Sequence, residues 1–318
     1  MARFVLYRLV SMIFVLFATL VIIFTLMYFV PGDPAISLLG ESATYEAVRE
    51  IHLKLGLDDP YIVRLGRCIW DFAHANFGVS YRSKNPVFNE LMARYPTTLK
   101  LSLGSTLLGV LIGVSAGIVS SVKQYSLLDR IFTAISLFGA SAPSFWIAMV
   151  LVLVFSLWLG WLPATGSYGL RYWILPVFTL GLQCSASIMR MTRSSMLEVI
   201  RQDFVRTARA KGQTEMKIIV NHALRNALIP ILTVTGIKMC GFLGGSVLVE
   251  TVFALPGVGK YILDSVSFKD YPVVQGGVMW ICLNCVIITF VIDLLYGFVD
   301  PRIRSMYSVK SNLKKAKA

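Results

Sequence analysis

Long apolar runs bounded by charged residues set the pattern of this chain. Between Arg8 and Asp33 lie 24 residues without Asp, Glu, Lys or Arg, between Lys100 and Lys123 another 22, and between Arg130 and Arg171 forty. Arg171 to Arg190 encloses 18 more, and Asp270 to Asp293 encloses 22. About 20 apolar residues carry a helix across a hydrocarbon core of roughly 30 Å. Lipid offers no partners to exposed backbone groups, so helices are expected, and the alternation a β-barrel needs is missing. The forty-residue run is too long for one crossing and contains the turn signal Gly160-Trp161-Leu162-Pro163, so it reads as one span followed by a wet or interfacial loop. The apolar stretch 226–252, interrupted by Lys238, adds another. The pattern predicts six transmembrane helices, at about 9–30, 99–121, 131–159, 174–190, 228–252 and 273–297.

Composition agrees. Of the 318 residues 56% are hydrophobic and 15% charged, against about 25% charged in soluble domains. The same figures exclude a disordered chain, and five cysteines are too few and odd in number for a disulfide scaffold. The expected class is an all-α polytopic membrane protein. Its first span resembles a signal peptide in having Arg3 and Arg8 before it. However, its apolar core is longer than the 7–15 residues of a signal and ends in Pro31-Gly32-Asp33-Pro34 rather than a small-x-small site, so it is expected to stay as an anchor.

Lys and Arg in the loops set the orientation. The N-terminus, the 122–130 loop, the 190–225 loop and the C-terminal tail together carry 18 basic residues against five acidic ones, a balance of +13. The opposite side carries 11 basic and 10 acidic residues. The whole formal charge therefore lies on one face, which is expected to be cytoplasmic, with both termini on it. The tail lysines 310, 314, 315 and 317 suit anionic headgroups of the lipid bilayer, and no base-reading or stacking groups point to nucleic acid. The expected divisions are an anchor helix at 1–30, an extracytoplasmic segment at 31–98, a core domain at 99–305 and a basic tail at 306–318. Within 31–98 the short stretches 44–55 and 60–73 are candidate helices; sixty-odd residues make a small cap but hardly a core of their own.

Ser105, Gly109, Gly113 and Gly117 recur every fourth residue in the second span and would let a neighbouring helix backbone approach closely. Catalytic signatures are missing. His52, His74 and His222 form no HExxH, and Cys282 and Cys285 lie in an apolar span with no second pair, so no metal site is expected. No GxSxG occurs. Gly259-Lys260 lacks the Ser or Thr and the first glycine of a P-loop. An enzyme is thus disfavoured. A channel or secondary carrier is disfavoured by the absence of an evident repeat.

The stretch from Arg190 to Pro230 is the most informative. Arg190, Arg193, Arg201 and Arg206 lie among Met196, Leu197, Ile200, Phe204 and Val205, as in a helix continuing inward from the fourth span. Gly212 breaks it after Ala208-Arg209-Ala210-Lys211. Thr214-Glu215 suits a new helix start, with Met216, Ile219, Ala223 and Leu224 on one side and Pro230 at the start of the next span. Two short helices joined at a glycine, on the basic side, suit either a groove of another protein or a lipid surface.

RTARAKG, nine residues, then HALRNALIP (Arg206–Gly212 and His222–Pro230) resembles the cytoplasmic loop of binding-protein-dependent ABC importer permeases. Their general pattern is EAA, three residues, Gly, nine residues, Ile-x-Leu-Pro. Here Arg206-Thr207-Ala208 stands for EAA and His222-Ala223-Leu224-Arg225 for the last element, as in the dipeptide, oligopeptide and nickel branch. YRL before the first span, FVPGDP, YPTTLKLSL, ETVFALPGVGK, DYPVVQGG and DPRIR extend the likeness along the whole chain. The resemblance implies a type I importer transmembrane domain of the MetI-like kind, in a bacterial or archaeal plasma membrane. It also implies a second homologous permease, two ATP-binding subunits and an extracytoplasmic solute-binding protein as partners. No cofactor is expected in this chain, ATP and Mg being held by the ATPases. Ala208, Arg209, Ala210, Lys211, Gly212, His222, Leu224, Arg225, Asn226 and Pro230 would form the ATPase-coupling element within the loop 190–227.

Lys238, ten residues into a span starting near Leu228, falls about 15 Å along it, where a charge is costly and functional by default. It is expected either to line a translocation path, attracting a peptide carboxylate, or to meet the partner permease. Glu250, twelve residues on, is the second candidate path residue, though like Asp293 it falls near a membrane face and equally suits a structural role. The expected cargo is a di- or oligopeptide; the same pattern serves glutathione, nickel and metal chelates.

Overall fold

The computed structural model of the chain describes residues 2–40 and 43–299. Among them there is no strand, only an isolated bridge between Val79 and Pro86. α1 (Ala2–Phe29) runs to the Pro-Gly-Asp-Pro turn. There Asp33 accepts the Ala35 N–H at 2.8 Å and caps α2 (Pro34–Leu39), whose first residue is a proline. α3 (Tyr45–Leu55) ends at Gly56 in the left-handed region, and α4 is Tyr61–Ala73. α5 (Val87–Val122) starts well before the expected span and passes through Pro96. After α6 (Leu127–Ser141) comes α7 (Ser144–Leu151), which opens into π-helical turns over Val152–Trp158. α8 (Leu170–Ile200) is followed by α9 (Asp203–Ala210). α10 (Glu215–Lys217), π turns over Ile218–Leu224 and α11 (Arg225–Gly245) lie end to end. α12 (Val247–Val252), α13 (Val258–Ser267) and α14 (Tyr271–Val299) complete the chain.

Five of these helices, counting Glu215–Gly245 as one, are long and apolar enough to cross a membrane, and the α6–α7 pair makes a sixth if counted as one span. Two spans differ from expectation in being broken. The third bends by 106° between Ser141 and Ser144. Ala142, preceding Pro143, is extended at φ −73°, ψ 130°, because the proline ring crowds the helical conformation of the residue before it. The carbonyl freed there accepts from Gln183 Nε2 of α8 at 2.7 Å. The fifth span ends at Gly245 rather than 252, and α12 is a separate short helix beyond Ser246. At its other end no boundary separates the span from the helix before it. The basic tail and DPRIR fall outside the described residues.

The chain forms two compact units: one is built on Leu99–Leu255, the other on Val5–Thr98 with Pro256–Val286. In the first, α8 is central, packing against α6, α7, α11 and α12. Its Leu180, Cys184, Ile188 and Met196 share a core with Ala227 and Ile231 of α11 and with Val249 and Phe253. In the second, Val87, Leu91, Val258 and Val273 form a small core ringed by Phe77, Tyr95, Tyr261 and Trp280. Tyr95 meets Trp280 edge-on at 5.3 Å.

Candidate functional site

The segment between α8 and α11 folds as a hairpin. α8 stops at Ile200, and α9 begins three residues later at Asp203, so the inward helix expected through Arg206 is broken at Arg201-Gln202. α9 ends where Gly212 takes φ +74°. Its N–H donates to Arg209 O at 2.9 Å and that of Gln213 to Ala208 O at 3.3 Å, the paired bonds of a Schellman end. Only glycine holds that conformation without strain. Val205 and Ala208 of α9 then close against Ile218, forming the hairpin's own core.

Polar contacts fix the two arms. Arg209 grips Glu215 through Nε and Nη2 at 2.8 and 3.2 Å, and this bond holds the guanidinium's proton more firmly than usual. His222 Nε2 meets Gln213 Oε1 at 2.8 Å, and Asn226 Nδ2 donates to His222 O at 2.7 Å. Ala210, Lys211, Gly212, Arg225 and Asn226 are exposed, and Leu224 and Pro230 are half-buried. Ala223 is enclosed in the core around α8. Met216, expected on the same side as Ala223, is instead 71% exposed. The π turns over 218–224 rotate the chain less per residue than an α-helix, so the two positions fall out of phase. Phe204, Met216 and Val220 thus give the hairpin an exposed apolar surface, flanked by Arg206 and Arg225. The second arm runs without interruption into α11, so Glu215–Gly245 is one body.

The glycines of α5 face α8. A Cβ on Gly109 would lie 2.5 Å from that of Cys184, one on Gly113 would lie 2.8 Å from Ser185 O, and one on Gly117 would lie 2.9 Å from Met189 O. Lys238 is half-buried on α11. It lies about 10 Å from the end of its helix. Glu250, fully buried on α12, accepts from Ser246 Oγ at 2.9 Å. The break at Ser246 places it on a different helix from Lys238. No group of three or more His, Cys, Asp or Glu among the described residues is placed to hold a metal.

Sequence reasoning missed one ionic centre. Buried Asp129 accepts from Arg193 Nε and Nη2 at 2.8 and 2.9 Å, from Tyr125 N–H at 2.9 Å and from the Ser120 hydroxyl. It ties α6 to the end of α5 and to α8. Ser126, whose hydroxyl accepts from the Asp129 N–H at 3.3 Å, gives a capping-box spacing that could have marked this acid as structural.

A family model of binding-protein-dependent transport system inner membrane components matches residues 109–305, and a model of the N-terminal part of such components matches residues 1–102. The chain belongs to that family. It is 39% identical to the dipeptide transport system permease protein DppB of Alkalihalophilus pseudofirmus, over 93% of this chain and 98% of that one. It is 38% identical to the glutathione transport system permease protein GsiC of Escherichia coli K12, over 96% and 99%. Its fold resembles a chain of the methionine ABC transporter MetNI in inward-facing conformations, with a TM-score of 0.56 at 22% identity, over 68% of this chain and 98% of that one.

Proposed function

We propose that the chain is a permease subunit of an ATP-driven importer in a bacterial inner membrane. It lines, with a second homologous permease, the route for di- or oligopeptides delivered by an extracytoplasmic binding protein. Two partner ATPases supply the energy, and both termini lie on their side of the membrane. The observation that carries this reading is the hairpin 203–226, with its Gly212 turn, exposed apolar residues and basic flanks, continuous with a helix that enters the core. An ATPase gripping it displaces Glu215–Gly245 as a rigid rod, a recognised way of transmitting motion. Half-buried Lys238 offers a charge to a peptide carboxylate. Glutathione, itself a short peptide, is the second reading, favoured by the likeness to GsiC at nearly the same identity.

Gly212→Pro tests the assignment. Proline fixes φ near −65°, opposite in sign to the +74° of the turn. In the reconstituted four-subunit complex, this variant should retain ATP hydrolysis while losing uptake that depends on ATP and the binding protein. Normal uptake by an assembled Gly212→Pro complex rules the hairpin out as the coupling element.

A further inference from the structure

We propose that α4 is an interfacial helix whose exposed apolar face rests in the lipid on the side of the membrane carrying the 31–98 segment. The inference rests on α1 being a membrane span. At about 100° per residue, α4 divides into three sectors. Tyr61, Leu65, Cys68 and Phe72 share one face and are half-buried. Arg64, Arg67 and Asp71 form the second, where Arg67 pairs with Asp59 at 2.6 Å and Arg64 donates to Leu57 O at 3.1 Å. Ile62, Val63, Gly66, Ile69, Trp70 and Ala73 make the third, an apolar arc with Ile62 73% and Trp70 68% exposed. A helix with only a core and a water to meet needs two sectors; the third calls for an apolar neighbour.

The contacts of the first face say what that neighbour is. Tyr61 Oη lies 2.7 Å from Thr25 Oγ1 of α1, and its ring packs 5.5 and 5.2 Å from those of Phe24 and Tyr28. Arg64 stands over the Tyr28 ring at 5.2 Å. Thr25 lies four residues, about 6 Å, inside the end of the first span at Phe29, within the roughly 5–10 Å at which interfacial helices bury their apolar faces. Around it α1 exposes Ile22, Leu26 and Phe29, the surface a lone span presents to acyl chains. The start of α4 is therefore held at the headgroup boundary, and Trp70, whose ring meets that of His74 at 4.3 Å in a tilted arrangement, has the amphipathic ring that settles there.

Trp70→Phe provides the test, since it keeps the face apolar and removes one of six tryptophans. The assembled transporter, wild type and variant, is reconstituted in vesicles of lipids brominated either near the headgroup or deep in the chain. The difference between their emission spectra isolates Trp70. That emission should be blue-shifted, lose most of its intensity to shallow bromines, lose less to deep ones, and resist aqueous iodide. Quenching by iodide alone would place the face in water, and quenching by neither would place it under another protein; either result overturns the proposal. The residual emission of Trp70→Phe in deep-brominated lipid reports separately on whether the chain sits in a bilayer at all.

Discussion

The unit built on Leu99–Leu255 and the unit joining Val5–Thr98 to Pro256–Val286 hold together by different physics. The first relies on nearness. Three glycines on α5 leave so little room that any side chain would strike α8, as suits helices packed in lipid, where no hydrophobic force drives them together. The second relies on side chains. Arg82 stands 3.9 Å over Phe268 and Arg94 4.1 Å over Tyr261, while Asp270 gathers the Ser80 hydroxyl at 2.6 Å and the Tyr81 N–H at 3.0 Å. A steric fit is lost by adding atoms and ignores the solvent; a polar fit is lost by changing protonation.

The largest effect should come from Gly113→Leu. Its first added atom would sit 2.8 Å from Ser185 O and 2.9 Å from Ile188 Cβ, and a backbone carbonyl in a packed helix cannot step aside. Overpacking typically costs about 1–3 kcal/mol and occasionally more. Thermal unfolding in detergent should show Gly113→Leu failing to fold and Gly113→Ala melting well below wild type at every pH. Wild-type stability in both would mean that α5 and α8 do not meet through this glycine.

Asp129→Asn should come next, because it removes charge from a buried ion pair in the glycine-packed unit. Arg193 would lose a bidentate acceptor, and hydrogen bonds to charged groups contribute about 1.5–3 kcal/mol. A double-mutant cycle with Arg193→Met, read as melting temperature, should show strong non-additivity. Simple addition of the two losses would mean the pair is not coupled.

What could be read beforehand follows the same division. Apolar runs gave the spans, because hydrocarbon thickness fixes their length, and the Gly109-Gly113-Gly117 spacing marked a tight helix face. The bend at Ala142-Pro143 escaped because α5, α8 and α11 carry Pro96, Pro176 and Pro230 inside unbroken helices, so proline alone does not identify a break. The continuity of the hairpin with α11 escaped because π turns blur the period that separates one helix from another. Contacts such as Gln213 with His222, nine residues apart, depend on the turn at Gly212, which the sequence marks, and on the phase beyond it, which it does not.

The smallest effect should also be the most conditional. His52 Nε2 meets both carboxylate oxygens of Asp33 at 2.8 and 2.9 Å, while Nδ1 meets Asp58 at 3.1 Å. A neutral imidazole has one N–H, so facing carboxylates from both nitrogens favours the imidazolium. The hydrogen bond to Asp33, then that to Asp58, raises the pKa above its ordinary 6.5 against a smaller desolvation effect. Because Asp33 also caps α2, the charge links α2, α3 and the turn after Gly56. A raised folded-state pKa contributes stability that is fully present below the unfolded value and lost as pH climbs through the folded one. Wild type should therefore outlast His52→Gln most clearly near pH 5, with the gap closing above neutrality. Gly113→Ala should show a deficit that stays level over the same range. A His52→Gln deficit equally flat with pH would mean that this polar unit, like its neighbour, is held by shape alone.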